Sequence, residues 1–338
     1  MGAPLTPLEL PGWLEFNKWR SGLAVHRFSA TRGDNRELRA VLYVDRRGWI
    51  RLPPDNAHLP IVFHSGRQRA SSRTSDWLAL ATPLVQEMKA RGVRNPINLP
   101  AEIDDVRPWR WAGFLIDVGY SYFLDFPLNE GLMDGELRRT CAKAMASGMK
   151  VERVRDVNLV IACVADTAAR KQFAPQVSAR DLSVALGLLG PEQLRLYACF
   201  DEDGRLASSC AVLHARGTRA VGWLLGTKTG SLAPGAGHLL WRQVFDDLSS
   251  AGATGIDFGA TDNPTVATFK SRWGSRLMPT YNIRTYSSRA LAGFVRTWIR
   301  SRTTDHGTLD PMVTSHLEPS TRRDLGRHER DPLARDSQ

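Results

Sequence analysis

VGWLLGTKTGSLAPGAGHLLWRQVFDDLSSAGATGIDFG runs from Val221 to Gly259. Its first residues continue a strand that reads from Thr218 to Leu225. A loop with glycines and Pro234 follows, and Gly235-Ala236-Gly237-His238 opens a helix reaching Ser250. Leu240, Val244 and Leu248 recur every four residues, so this helix is amphipathic with an inward apolar face. Gly252 closes it, and Gly255 to Phe258 read as the next strand. Strand, glycine loop, amphipathic helix and strand in succession set the class as α/β.

The chain continues from Asp257 to Gly274 as DFGATDNPTVATFKSRWG. Asp-Phe-Gly suggests a protein kinase, but no Gly-x-Gly-x-x-Gly and no His-Arg-Asp occur to support it. In a strand, Asp257 points opposite to its neighbours. It stands at the strand's C-terminal end, where open α/β sheets place ligands. A turn at Thr261 to Pro264 leads to a short helix ending at Trp273. Phe269 and Trp273, four apart, share a face and read as its anchor. Lys270 lies on a different face and returns to the edge where Asp257 sits. It is expected either to hold an anionic group there or to serve as a surface lysine or partner of Asp257. Asp257 either meets an acceptor amine or caps local backbone.

Working back from Val221, three strands with hairpin turns are expected: Arg195 to Phe200, Leu206 to Ala215 and Thr218 to Leu225. Helices precede them up to Leu189, with a strand from Val151 to Val154 before those. A last strand follows from Leu277 to Tyr286. The order is β-α-α-β-β-β-α-β-α-β. In the first half, strands are expected at Leu38 to Asp45, Trp49 to Leu52, Leu59 to Phe63, Val93 to Leu99, Trp111 to Val118 and Tyr120 to Phe126. A helix capped at Ser75 or Asp76 runs to Arg91. A second helix, Asn129 to Gly148, turns Leu137, Cys141 and Met145 inward and leaves Arg138, Arg139 and Lys143 outside. After a short amphipathic piece, residues from Ser301 to Gln338 are rich in Arg, Asp, Ser, Thr and Pro, a composition expected to stay disordered.

Bulk properties narrow the setting. The 338 residues suggest about two domains. At 42% hydrophobic, with a mean hydropathy of -0.29, the chain can bury real cores. No apolar run reaches the roughly 18 residues of a membrane span, and no signal peptide is visible. Cys141, Cys163, Cys199 and Cys210 stand far apart, against a zinc site or a disulfide framework. No metal is expected, and the cytoplasm is the expected location, with a peripheral place at the inner face of the membrane left open. The net charge of +10 favours anionic partners, set against an ordinary arginine-rich surface.

The element order resembles the GNAT acyltransferase fold, and three stretches resemble its FemAB-like branch. They are Tyr120 to Val154, Val221 to Gly259, and ATFKSRWGSRLMPTY from Ala267 to Tyr281. The last is similar to that branch's Phe-Lys-x-x-Phe-Gly segment, with Trp273 in the second aromatic place. The likeness spans roughly Trp13 to Tyr286. It implies two tandem GNAT-like domains, each a mixed, largely antiparallel sheet flanked by helices. Residues 1–149 would form a degenerate N-terminal domain and 150–290 the acyltransferase domain, with a short helix and disordered tail at 291–338.

The resemblance also implies a site. In this fold two central strands splay apart, and a backbone N–H in the gap steadies the donor's carbonyl oxygen. The splayed strand would be Thr218 to Leu225, with Trp223, Leu224 and Leu225 lining the donor and Gly255 to Phe258 as partner. Gly235, Ala236, Gly237 and His238 would receive donor phosphate at the helix N-terminus, or form an ordinary helix start. Lys270 and Asp257 are the candidate catalytic residues. Arg138, Arg139, Lys143, Trp111 and Tyr122 are the candidate acceptor contacts; a solvated helix face and core packing are the bland alternatives. The implied activity is transfer of an acyl or aminoacyl group, from acyl-CoA or aminoacyl-tRNA, to an amine of an envelope precursor or saccharide. An anionic or lipid-linked acceptor and tRNA are the implied partners. A non-catalytic module binding an anionic ligand or nucleic acid is the other reading.

Overall fold

The computed structural model describes residues 3–285 except 34, 233, 234, 261 and 262. The expected tail and the piece before it lie outside the described residues, as does Tyr286. The chain begins with α1 (Pro11–Ser21), β1 (Ala24–Thr31), β2 (Arg36–Val44) and β3 (Ile61–Ser65). These three strands form an antiparallel sheet in sequence order. Then come α2 (Ala70–Arg91), β4 (Ile97–Asn98), α3 (Arg107–Trp111), β5 (Leu115–Asp125) and α4 (Gly135–Ala146). The second half runs β6 (Lys150–Val154), α5 (Val157–Lys171), α6 (Ala179–Gln193), β7 (Leu194–Phe200), β8 (Leu206–Leu213) and β9 (Arg219–Thr227). It ends with α7 (Ala236–Ser250), β10 (Gly255–Ala260), α8 (Pro264–Ser271) and β11 (Arg276–Arg284).

The second half carries the expected order of elements. Side-chain caps set the starts of α5, α6 and α8. Asp156 accepts from Asn158 N, Ser178 and Asp181 make a capping box, and Asn263 accepts from Thr265 N and Val266 N. Leu240, Val244 and Leu248 are fully buried on α7, as their spacing requires. Among the described residues, eight strands form one sheet in the order β4-β11-β5-β10-β9-β8-β7-β6. Every neighbouring pair is antiparallel except β9 with β10. β4 and β5 come from the first half, and β5 is inserted between β10 and β11.

Several local expectations are corrected. Trp111 ends a helical turn instead of opening a strand, and β5 is one continuous strand through Tyr120. Asp76 is no helix cap; it is buried within α2 and binds Arg36 and Ser65. α4 starts at the cap Asp134, and its buried face is Leu137, Cys141 and Ala144. Met145 is 58% exposed, because the stripe continues at i+7 from Leu137 and not at i+8. α1 and β1 were not anticipated.

Three apolar clusters fill the fold. One joins the small sheet to α2 and includes Trp77 and Trp109. A second lies between α7, α4 and the large sheet and includes Phe245, Phe258 and Trp273. The third packs α1, α5 and α6 on the other face of the large sheet.

Candidate functional site

The parallel pair β9–β10 holds for only three residue pairs: Gly255 with Arg219, Ile256 with Ala220, and Asp257 with Val221. Beyond them each strand turns to its other neighbour. β9 stays with β8, where Ala211 faces Leu224 and Val212 faces Gly222, so Trp223 is an extra residue. β10 stays with β5, where Asp257 faces Phe123 and Ala260 faces Ser121. Three residues of β10 thus span two of β5, which is a β-bulge. The two central strands part above Val221 and Asp257, and both carry a bulge at the parting.

Gly259 forms the second bulge and takes φ +74°, a left-handed conformation that suits glycine. The expected candidates Asp257 and Lys270 meet on this one residue. Gly259 N–H donates to Asp257 Oδ1 (2.8 Å), and Lys270 Nζ donates to Gly259 O (3.0 Å). Ser121 Oγ, on β5, stands 2.5 Å from Asp257 Oδ1 and 2.9 Å from Gly259 O. Asp257 is 6% exposed and Lys270 is 8% exposed, so the surface-lysine reading is excluded. Both hydrogen bonds to Asp257 fall on Oδ1; Oδ2 accepts none from a described residue. Asp257 does bind local backbone, as one reading expected.

The short helix α8 is fixed as its spacing predicts. Trp273 is fully buried with its ring 4.9 Å from Phe245, and Phe269 meets Trp273 at 6.3 Å. Arg272 then ties the helix to the start of α4 through Asp134 and Glu136, both at 2.8 Å. This grip carries Lys270 to the bulge.

The donor-side residues divide. Gly235 caps α7 at φ +82°, and a Cβ on it would lie 2.6 Å from the Thr140 side chain and 3.9 Å from Ala144. The loop is therefore seated on α4. Arg139 and Lys143 each precede one of those two residues and are exposed, without an ion pair among the described residues. Arg138 is exposed on the same helix. Ala236 and Gly237 begin α7. A Cβ on Gly237 would meet Thr227 Oγ1 at 3.1 Å, so this glycine serves helix–strand packing as well. His238 is half-buried and its ring lies 5.1 Å from Phe269. Burial, with Arg272 nearby, pushes its pKa below the usual histidine value.

Along β9, Leu225 is 40% exposed at the parting and Leu224 leans on the cluster of α5 and α6. Trp223 is a correction: its indole is committed to structure. It meets Trp13 and Phe16 edge-on at 5.0 and 5.4 Å and donates to Asp55 Oδ1 (3.3 Å). Only its backbone remains at the gap. The two aromatic candidates for acceptor contacts, Trp111 and Tyr122, do not share one surface either. Trp109 is core, and Trp111 is 65% exposed with Arg107 5.6 Å over its ring. Tyr122 packs on the α7 side of the sheet, opposite Ser121 and Asp257. His214 is buried, with Nδ1 3.1 Å from Glu192 O, and takes no part in the site.

Sequence reasoning missed Ser121, which lies 136 residues from Asp257 and carries no local signal. It also missed a cavity of about 720 Å³ on the face of the large sheet away from α7. Val221 and Asp257 form its floor, and β3, α2 and residues 100–105 form its walls. Among the described residues, no cluster of metal-ligating side chains occurs, and no helix is long and apolar enough to cross a membrane.

No family model and no curated protein matches this sequence. Solved structures do. FemX is 14% identical over 83% of this chain and 92% of its own, with a TM-score of 0.61. The C-terminal domain of a putative lysylphosphatidylglycerol synthetase from Agrobacterium fabrum is 12% identical over 84% of this chain and 90% of its own, with a TM-score of 0.54. The fold is thus FemAB-like and of the GNAT type.

Proposed function

We propose that the protein is an N-acyltransferase that moves an acyl or aminoacyl group onto an amine of a cell-envelope precursor or saccharide. The observation that carries this is the parting of β9 from β10 over a buried acid and a buried lysine, with the α7 N-terminus following β9. Acyl transfer needs a stabilised carbonyl oxygen, a neutral amine and a protonated leaving group. Backbone N–H groups of β9, freed from β10 above Val221, supply the first. The amine nitrogen attacks the donor carbonyl carbon. Its bond to carbon forms as the carbon–sulfur or ester carbon–oxygen bond to the leaving group breaks. Asp257 Oδ2 holds the amine and takes the proton that it sheds, and that proton passes on to the departing sulfur or oxygen, which restores the carboxylate. Lys270 sets the Gly259 peptide beside the gap and places positive charge near developing negative charge.

The donor is acyl-CoA or aminoacyl-tRNA. Both carry phosphates, which the α7 N-terminus and the neighbouring Arg139 and Lys143 suit. One structural neighbour is named for lysylphosphatidylglycerol synthesis, which makes a lipid-linked acceptor and a place at the membrane surface reasonable for this chain. Trp111 and Tyr122 have no support as acceptor contacts; Arg138 retains a role with anionic partners. The boundary at 149/150 between an N-terminal and a C-terminal GNAT-like domain is part of the same proposal.

Calorimetry with acetyl-CoA, free CoA and aminoacylated tRNA tests this reading. Saturable binding of one donor, weakened by replacing Arg139 and Lys143 with Gln, is the expected result. Binding of no donor would leave the fold as a non-catalytic module.

A further inference from the structure

The cavity over Asp257 has a charge opposite to that of the chain. The protein carries +10 overall, yet Glu102, Asp104, Asp105 and Asp257 line this space against Arg73 and Arg219. Asp105 is neutralised by Arg107 at 2.6 Å. Arg219 is neutralised by Asp125 at 2.8 Å and lies 4.4 Å over the Phe123 ring. Among the described residues, that leaves three carboxylates without an ion pair and one guanidinium, Arg73. Asp257 is the buried one, and its Oδ2 accepts no hydrogen bond from a described residue. Glu102 and Asp104 are exposed at the rim.

Between rim and floor the walls are apolar. Leu8, Ile61, Phe63, Trp77, Ile103 and Val221 supply them. Phe63 and Trp77 stand edge to face at 5.2 Å, so the aromatic wall is rigid. A volume of about 720 Å³ lies within the usual range for a small-molecule site. Arg73 is the one guanidinium of this space without an ion pair among the described residues, and His58, Gln68 and Thr74 are among its other polar side chains.

We infer that this cavity binds a primary amine on an apolar or aromatic body, which enters as the ammonium past Glu102 and Asp104 and ends at Asp257 Oδ2. The inference rests on the acyltransferase reading, for which it names the acceptor class. It departs from the anionic acceptor that the net charge suggested, because net charge describes the whole surface and not one cleft. The basic residues lie instead on α4, beside the Gly235 loop, so the two signs of charge divide between donor and acceptor. A buried carboxylate at the end of an apolar cleft discriminates strongly, since an alcohol or acid of the same shape leaves it without its partner.

The test uses the full chain and three probes of matched size: 2-phenylethylamine, 2-phenylethanol and 3-phenylpropionate, titrated calorimetrically. The amine should bind, the alcohol more weakly, and the carboxylate not at all. The double variant Glu102→Gln/Asp104→Asn, at exposed positions, should weaken amine binding roughly five-fold and reduce its salt dependence. Equal binding of amine and carboxylate, absence of amine binding, or an unchanged double variant would each overturn the inference. Acetyl-CoA and aminoacylated tRNA titrated into the same samples separate the two claims. Donor binding without amine binding removes only the acceptor assignment. Amine binding without donor binding removes only the acyltransferase reading.

Discussion

Gly226→Ala tests how the splayed strand is held. β9 passes beneath α5 so closely that this position has no room for a side chain. A Cβ at Gly226 would lie 2.2 Å from the carbonyl carbon of Cys163, 2.4 Å from its oxygen and 2.4 Å from Val164 N. These are backbone atoms of a helix, so no rotamer change relieves the clash. Restoring an ordinary 3.4 Å contact to that carbon moves α5 and β9 apart by about 1.2 Å. The same movement stretches Thr227 N–H to Thr167 Oγ1 (3.0 Å), Lys228 Nζ to Ala162 O (3.0 Å) and Arg170 Nη1 to Thr227 O (3.1 Å). Overpacking alone costs about 1–3 kcal/mol, and the strained hydrogen bonds bring the expectation to the top of that range, roughly 3 kcal/mol. Gly230→Ala is the control, because a Cβ there meets nothing within 4 Å. It should stay within about 0.5 kcal/mol of wild type. Urea unfolding followed by circular dichroism gives both values from the midpoint at constant slope. Equal midpoints for the two variants would refute the close-packing argument.

Three further outcomes are expected. Lys270→Met removes the ammonium that binds Gly259 O while keeping the apolar stem; it should fold and lose on the order of 10²-fold in turnover, and wild-type turnover with unaltered donor affinity would remove Lys270 from the site. Burial depresses His238, with Arg272 adding to the effect, and burial also depresses His214. The unfolded chain then binds more protons below the ordinary value of 6.5, so their stabilisation is full above it and is lost as pH falls through the lower folded values; His238→Phe should flatten the decline of the melting temperature on the acid side, and an identical decline would refute this. Asp134→Ala removes the α4 cap, which accepts from Leu137 N at 3.0 Å, and should lower the midpoint of urea unfolding. Asp134→Asn, which keeps the cap and loses only the charge pairing with Arg272, should cost less than the alanine variant.

The sequence alone determined what depends on neighbours along the chain. The period of Leu240, Val244 and Leu248 set the buried face of α7, and Phe269 with Trp273 set the anchor of α8, because helical spacing puts such residues on one side. Alternation and turn residues located β7, β8 and β9, and the position of Asp257 at a strand end marked it as a candidate. The tertiary structure decided what depends on sheet order. Nothing near Ser121 in the sequence announces Asp257, since their contact exists only because β5 pairs with β10 across 136 residues. Trp223 looked like a site residue until α1, which left no readable signal, was seen to cover it. The sequence left Lys270 open between a residue holding an anionic group and a surface lysine or partner of Asp257; the bulge at Gly259 offers its ammonium a carbonyl and draws it inside. The acid-lined cavity is the strongest case. Its carboxylates come from a loop at 102–105 and from β10, and only the packing of β3 and α2 over the large sheet makes them one surface. Composition sums charge over the whole chain, whereas a ligand meets the few groups that the fold brings together.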